Sequence, residues 1–338
     1  MSTPKNLAET RARTFPIVDG AQYCRWNREI FTQMAQGGVA VAGATIAYHE
    51  TPYELLLRLG EWQRRFQAFN DLIRPFDAST DIEQAGQDGR VAIFFGAQNP
   101  SVIEANIDFI PVFRQLGLRM MQVTYNTQSL LGSGWREPND KGLTLFGQKV
   151  IESMNRAGML ADLAHAGEQT ILDTAEFSPL PIVISHGNPR KFRDTARNIT
   201  ERAMRAVADS DGLMGLSLYP HHLPKGSDTT LAEFCDMVSF AVEVMGDRHV
   251  AIGTDLCQGQ ADEVLNWMRA GRWDPPHDPD GEPEVRWPQP LAWFKSNADF
   301  PNIIEALVHR GFAHETIARI AGGNWLRVLA STQRTAPC

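Results

Sequence analysis

Histidines and carboxylates gather at particular places in this chain. Apolar β-type runs end in His49 and Glu50, Gln98, Tyr125, His165, His186, Tyr219 with His221 and His222, and Asp255. Five of the nine histidines therefore fall in or just after such a run. A single histidine there is most often a hydrogen-bonded loop residue. Two that end neighbouring strands, in DLAH and ISH, would lie side by side, and neutral imidazoles suit zinc and its neighbours. Asp255, in the apolar turn GTD, would be a buried carboxylate at the same place. It reads either as an acid/base or as a partner for a backbone N–H or an arginine.

The elements that must carry these residues repeat in pattern, though not in sequence. Short β-rich runs at 15–21, 39–49, 91–98, 120–125, 160–165, 182–186, 213–219 and 250–255 alternate with amphipathic stretches. The stretch 51–73 predicts a long helix, and LFGQKVIESMNRAG predicts one that stops at its glycine. Eight nearly continuous apolar strands separated by helices read as parallel strands buried on both faces, an α/β chain of the (β/α)8 TIM-barrel type. In such barrels chemistry sits at the C-terminal ends of the strands, where the polar residues above fall. Neither GxGxxG after the first strand nor GxxxxGK[ST] occurs, so nucleotide binding has no support. Residues 258–302 break the rhythm with Trp267, Trp273, Trp287, Trp293 and a proline-rich run. Four tryptophans need something to pack against, so this segment reads as a folded excursion over the barrel mouth or into a subunit interface. The expected organisation is an N-terminal extension at 1–13, one barrel at 14–332 and a tail at 333–338.

The chain has 338 residues, with 40 acidic against 32 basic side chains and a formal charge of −8. No Lys/Arg run offers a surface for nucleic acid or an anionic membrane, and no apolar stretch approaches the roughly 20 residues that span a bilayer. The N-terminus lacks the apolar region of a secretory signal. Cys24, Cys235, Cys257 and Cys338 lie far apart with no CxxC pair, so reduced thiols in a cytoplasm are expected. The expected partner is a small-molecule substrate.

Several longer segments are recognisable as a set. DLAHAG, PIVISHGNPR with its histidine 21 residues after the first, ARN and IGTD occur in that order. They are joined by FPIVDG, LGLRMMQVTYNTQS, GLTLFGQKVIESMNRAGMLADLAH and GGNWLRVL, so that the set covers nearly all of 14–332. The chain resembles the membrane (renal) dipeptidase family of the amidohydrolase-like metal-dependent barrels. The resemblance implies a barrel that holds two zinc ions and hydrolyses dipeptides, often as a homodimer. It implies that His165 and His186 hold one metal, that Arg197 contacts substrate and that Asp255 activates it. The rest departs from the family. Its DGHxD motif reads DGAQY here, placing first-zinc ligands on Ala21 and Tyr23; the bridging glutamate falls on Gln98 and a substrate histidine on Tyr125. Alanine cannot ligate, and a neutral tyrosine or amide is a poor zinc ligand.

Three readings follow. In the first, zero or one zinc ion replaces two: His165 and His186 hold it, with His49 or Asp255 as third ligand. Asp255 and Tyr125 would then be catalytic on an amide or peptide C–N bond. Arg197 would grip a substrate carboxylate as a bidentate fork, beside Gln98, Tyr23 and His49 as substrate contacts. In the second, the pocket is metal-free and runs different chemistry on a related molecule, with Asp255 as acid/base and the thiols of Cys24 or Cys257 within reach. In the third, the barrel binds without catalysing. Tryptophan faces in the excursion would add affinity for an apolar or cationic moiety.

Overall fold

The computed structural model describes residues 15–270 and 286–333. Trp273, Cys338 and the expected extension at 1–13 lie outside them. Nine parallel strands form the sheet: β1 (Ile17–Gln22), β2 (Val39–Ala47), β3 (Ile73–Pro75), β4 (Val91–Ala97), β5 (Leu118–Gln122), β6 (Leu160–Asp162), β7 (Val183–Gly187), β8 (Leu213–Leu216) and β9 (Val250–Ile252). Eight of them close a ring in the order β1, β2, β4, β5, β6, β7, β8, β9 and back to β1. This is the (β/α)8 barrel.

β3 is the addition that periodicity missed. The helix expected over 51–73 is α2 (Pro52–Ala68), started by a Thr51/Glu54 capping box and ended by the bond from Phe69 N to Arg65 O. The chain then turns so that Ile73, almost fully buried, pairs with Val91 beside the first half of β4, while β5 takes the second half. The remaining helices are α1 (Arg28–Gln36), α3 (Ala78–Gln84), α4 (Phe109–Gln115), α5 (Leu145–Ala157), α6 (Glu168–Phe177), α7 (Glu201–Asp209), α8 (Leu231–Met245), α9 (Asp262–Ala270), α10 (Phe300–His309), α11 (His314–Ala318) and α12 (Asn324–Ser331). α5 stops at Gly158, whose φ of 70° is open to glycine at little cost. No helix among the described residues is long and apolar enough to cross a membrane.

Alternation along the strands sorts side chains into two layers. Ile17, Ala42, Phe95, Met121, Ala161, Ile184, Met214 and Ile252 pack outward against the helices. Val18, Val41, Phe94, Met120, Leu160, Val183, Leu213 and Ala251 pack inward with Trp325 of α12, which plugs the lower end. Trp325 is fully buried and donates Nε1–H to Ile252 O at 2.8 Å. Its ring occupies the space of a side chain at position 20: a Cβ on Gly20 would lie 1.9 Å from it. Above this apolar floor the inward positions turn polar, with Gln122, Asp162 and Ser185 all buried.

The ring closes through a thin seam, since β1 and β9 share one register pair, Asp19 with Ile252. The Asp19 side chain reinforces it, accepting from Thr254 N at 2.8 Å, from Thr254 Oγ1 and from Gln22 Nε2 at 2.6 Å. Burial pushes its carboxyl up to about 6 against those hydrogen bonds.

Two outcomes are expected. Trp325→Ala should lower unfolding free energy by about 3–5 kcal/mol in urea denaturation. Asp19 has a higher pKa folded than unfolded, so its contribution is greatest at low pH and is lost as pH rises from about 4 through about 6. Stability measured across that window should fall less steeply in Asp19→Asn than in the wild type.

Candidate active site

Strand pairing stops at Ala47, Ala97, Asp162 and Ile252, so the polar residues that follow leave the ladder and turn over the barrel mouth. The key geometry starts one layer below. Asp162 accepts from Ser185 N at 2.9 Å, Ala164 N at 3.1 Å, Gln122 Nε2 at 3.1 Å and Ser185 Oγ at 2.5 Å. Ser185 has a single hydroxyl proton, and it goes to Asp162. Its oxygen therefore accepts from His186 Nδ1, 2.8 Å away. His186 is thus protonated on Nδ1, and Nε2 carries the lone pair.

His165 is fixed the same way. Its Nδ1 lies 2.8 Å from Asn126 Oδ1, and that oxygen also receives Trp135 Nε1–H at 2.7 Å. An indole nitrogen only donates, so Asn126 Oδ1 is an acceptor and His165 carries its proton on Nδ1 as well. The two Nε2 atoms face each other at 3.0 Å. Burial, first, and Arg197 beside them hold both imidazoles well below their ordinary pKa, so both are neutral. Two lone pairs at that distance repel unless a cation sits against them. Ring nitrogens whose far sides are tied to oxygen acceptors are the arrangement that orients imidazoles on a metal.

Asp255 stands beside this pair, with Oδ1 4.0 Å from His186 Nε2. It adopts φ of 54°, a strained region that Asp enters more readily than most residues. Burial raises its pKa to about 7, opposed by Arg197 and by a hydrogen bond from Gln98. Among the described residues no three His, Cys, Asp or Glu side chains already form a metal-ready cluster. The donor set fits one borderline divalent ion on His165 and His186, with Asp255 the carboxylate in reach.

The positions that the sequence pattern assigns to a second ion carry other side chains. Ala21 offers no donor. Tyr23 packs edge-on against Tyr48 at 4.8 Å, and burial with Glu50 nearby pushes its hydroxyl up to about 12. Gln98 donates to Thr45 Oγ1 at 3.0 Å and also bonds Asp255. Tyr125 stacks over His165 with ring centroids 4.4 Å apart, and burial raises its pKa. Apart from Ala21, the residues at the departed positions are aromatic or amide and contact neighbouring side chains.

Arg197 is buried and donates Nη2–H to His186 O at 3.2 Å. Among the described residues its Nε and Nη1 have no partner, although both are buried. Burial lowers its pKa only to about 10, with Asp255 opposing the fall, so it stays charged. Arg197 lines a cavity of about 440 Å³ with Gln98, Tyr125, His165, Asp255 and Cys257.

His49 is the residue that the structure reassigns. Nε2 contacts Met268 O at 3.2 Å and Nδ1 contacts Asn99 Nδ2 at 3.2 Å. The ring also meets Tyr125 and Trp267 edge-on. With both nitrogens engaged by protein, His49 is neither a third ligand nor a substrate contact in this geometry; it rivets α9 to the end of β2. Cys24 donates to Leu256 O at 3.3 Å and Cys257 to Asp255 O at 3.4 Å. Burial raises both thiols, Cys257 well above its ordinary value, so neither is a ready nucleophile.

The cavity also takes in residues that spacing could not nominate, Asn126, Trp135 and Arg136 from the loop after β5 and Met268 and Arg269 of α9, beside Tyr219 and His222 after β8 and Trp287, which the sequence marks. His222 Nδ1 lies 3.2 Å from Ser217 Oγ, which also accepts from Tyr219 N. The Trp-rich segment packs over the mouth through Trp287, whose Nε1–H reaches Ala261 O at 2.8 Å.

Against this geometry, residues 31–268 match the model of the membrane dipeptidase family, peptidase family M19. The chain belongs to that family. Its M19 relatives include dipeptidase aclJ of Aspergillus oryzae, 23% identical over 279 residues, covering 81% of this chain and 60% of that protein. Dipeptidase tcpJ of Claviceps purpurea is 22% identical over 292 residues, covering 86% and 62%. The chain thus spans about three fifths of these two relatives' lengths. Among solved structures, an amidohydrolase from Pseudomonas aeruginosa superposes with TM-score 0.88 at 29% identity, covering 96% of this chain and 98% of that one. A metallo peptidase from Rhodobacter sphaeroides, liganded with a phosphinate mimic of the dipeptide L-Ala-D-Ala, shares the fold with TM-score 0.77 at 18% identity, covering 94% and 99%.

Ser185→Ala should remove the acceptor of His186 Nδ1–H and one donor to Asp162. The expected loss is about 1–3 kcal/mol of stability and about 10–100-fold in zinc affinity, read by urea denaturation and by competition with a chromophoric chelator.

Proposed function

We propose that this M19 protein is a hydrolase of amide or peptide C–N bonds in small carboxylate-bearing amino-acid derivatives, working with one divalent ion and not two. The observation that supports it best is the convergence of Asp255, His165 and Arg197 on one cavity, with His186 Nε2 3.0 Å behind His165 Nε2 and two donors of Arg197 unpartnered among the described residues.

His165 and His186 would hold the ion, with Asp255 the third donor in reach. When bound, such an ion supplies Lewis acidity at the attacked carbonyl and lowers the pKa of water. The chain's own residues do the rest. Arg197 holds the substrate carboxylate by its charge and through one of its unpartnered N–H groups, Nε–H or Nη1–H, which fixes the scissile bond over Asp255. Asp255 takes a proton from the attacking water as the C–O bond forms. It returns that proton to the departing nitrogen as the C–N bond breaks, and a carboxyl near 7 is suited to both transfers. Gln98 keeps the carboxylate oriented. Tyr125, held protonated by burial, is placed beside His165 to donate its O–H to the developing oxyanion.

A metal-free course of the same reaction draws support from the lack of a completed three-donor cluster among the described residues. Metal analysis of protein purified without chelator, followed by turnover of a dipeptide panel, separates the two. Bound zinc near one per chain, activity lost on chelation and restored by zinc, supports the one-ion reading; full turnover by metal-free protein overturns it. Asp255→Asn should lower kcat/KM about a thousandfold. Arg197→Gln should raise KM roughly a hundredfold. Absence of turnover on every dipeptide by zinc-loaded protein would overturn the hydrolase reading itself.

A further inference from the structure

The cavity holds more positive charge than one substrate carboxylate answers. Among the described residues, Arg136, Arg197 and Arg269 line it, against the single carboxylate of Asp255. His165 and His222 add nothing, because burial keeps both well below their ordinary pKa, and His221 is shifted the same way. Among the described residues neither Arg136 nor Arg269 is ion-paired with a carboxylate. The Arg136 guanidinium lies over the Trp135 ring, 5.2 Å from its centroid, and Arg269 is hydrogen-bonded to the Tyr219 side chain. Both cations are therefore held by aromatic side chains, which leave the charge uncompensated. The chain as a whole carries −8, so a basic cavity runs against its composition.

Topology says how the three are spread. Arg136 follows β5, the fourth strand of the ring; Arg197 follows β7, the sixth; Arg269 belongs to α9, which follows β9, the eighth. Arg136 lies over Trp135, whose indole is tied to Asn126, and Arg269 reaches the Tyr219 side chain beyond β8, so both line the one cavity with the buried Arg197. Asp255 answers one of the three charges and a carboxylate on Arg197 a second. One remains.

We propose that the pocket selects dianionic substrates: amino-acid derivatives that carry, beyond the carboxylate on Arg197, a second carboxylate of the aspartyl or glutamyl type held at the rim by Arg136 and Arg269. This rests on the reading above only for the place of the first carboxylate. A neutral or cationic side chain in the same position leaves the rim charge unanswered and is selected against.

N-acetyl-L-glutamate and N-acetyl-L-glutamine have nearly the same shape and differ by one negative charge. Titration calorimetry of the full chain with each probe should show the glutamate bound about tenfold tighter at low ionic strength, the advantage shrinking as salt rises. Arg136→Gln and Arg269→Gln should each reduce the ratio of the two affinities, and the double variant should bring it close to one. Arg197→Gln should weaken both probes together and leave the ratio in place. A variant that merely loosens the fold weakens both probes alike, and thermal melting of each variant identifies it. Equal affinities in the wild type, a preference that survives in the double variant, or no binding of N-acetyl-L-glutamate in the millimolar range would each overturn the proposal. The binding ratio needs no turnover, so its failure is distinct from failure of the hydrolase reading, which shows as absent catalysis with charge selectivity intact.

Discussion

Two neutral imidazoles that point lone pairs at each other across 3.0 Å are the constraint around which the barrel mouth is built. Left to itself, either ring would flip or shift to relieve the repulsion. Neither can. His186 is held through Ser185 by Asp162, whose lone pairs are saturated by four donors. His165 is held through Asn126 by the indole of Trp135. Both relays run through buried groups, where a lost hydrogen bond is expensive, so the tautomers are set by the fold and not by the solvent. An apolar floor under this layer makes the arrangement affordable, since Trp325 and the inward residues of all eight ring strands exclude water from beneath it.

The positions that depart from the family pattern gain meaning from the same geometry. Tyr23, Tyr48 and Tyr125 form a run of edge-on aromatic contacts where donors to a first ion would be needed. Gln98 keeps the outline of a glutamate but donates a hydrogen bond, and the bond goes to Asp255. Replacing an anion by a donor next to a buried carboxylate removes a repulsion that would drive that carboxylate's pKa higher still. Under the proposed one-ion reading, the loss of one ion and the survival of Asp255 as an acid/base are coupled changes. They also leave the pocket with fewer negative charges, so its arginines act on the substrate with less internal compensation.

How far this was legible in the sequence follows from what periodicity can see. Strands buried on both faces announce themselves as apolar runs, and the residues that end them, His165, His186 and Asp255, were readable as one constellation. Arg197 was readable only through the resemblance of its surrounding motif. β3 was hidden because three residues following a helix carry no period, and its pairing with Val91 is a tertiary event. His49 misled because its place at the end of β2 matches that of a ligand; only the carbonyl of Met268, far away in the chain, shows that its nitrogens are taken. Asp162 and Ser185 sat in plain view inside DLAH and ISH, but nothing local says that a serine proton points to one neighbour and not the other.

Strain and unsatisfied polarity are distributed unevenly, and the distribution argues for where function lies. Among the described residues the layer below the imidazoles has its donors matched, and one acceptor, Gln122 Oε1, is left without a partner. One level up, Asn126 and Asp255 adopt positive φ, at 60° and 54°, and Arg197 keeps two buried N–H groups without partners. Each of these costs stability, and each would be relieved by a simple substitution or a small shift of backbone. A barrel evolved only to fold or to serve as a scaffold would have no use for a buried guanidinium with free donors beside a strained carboxylate. The cost is recovered only when an anion docks on Arg197, because its oxygens then complete the guanidinium's hydrogen bonds and complement its charge in a region from which water is largely excluded. On the proposed reading, the instability of the empty mouth is in this sense part of its affinity, and a docked anion sets the reacting bond over Asp255, whose carboxyl burial raises to about 7.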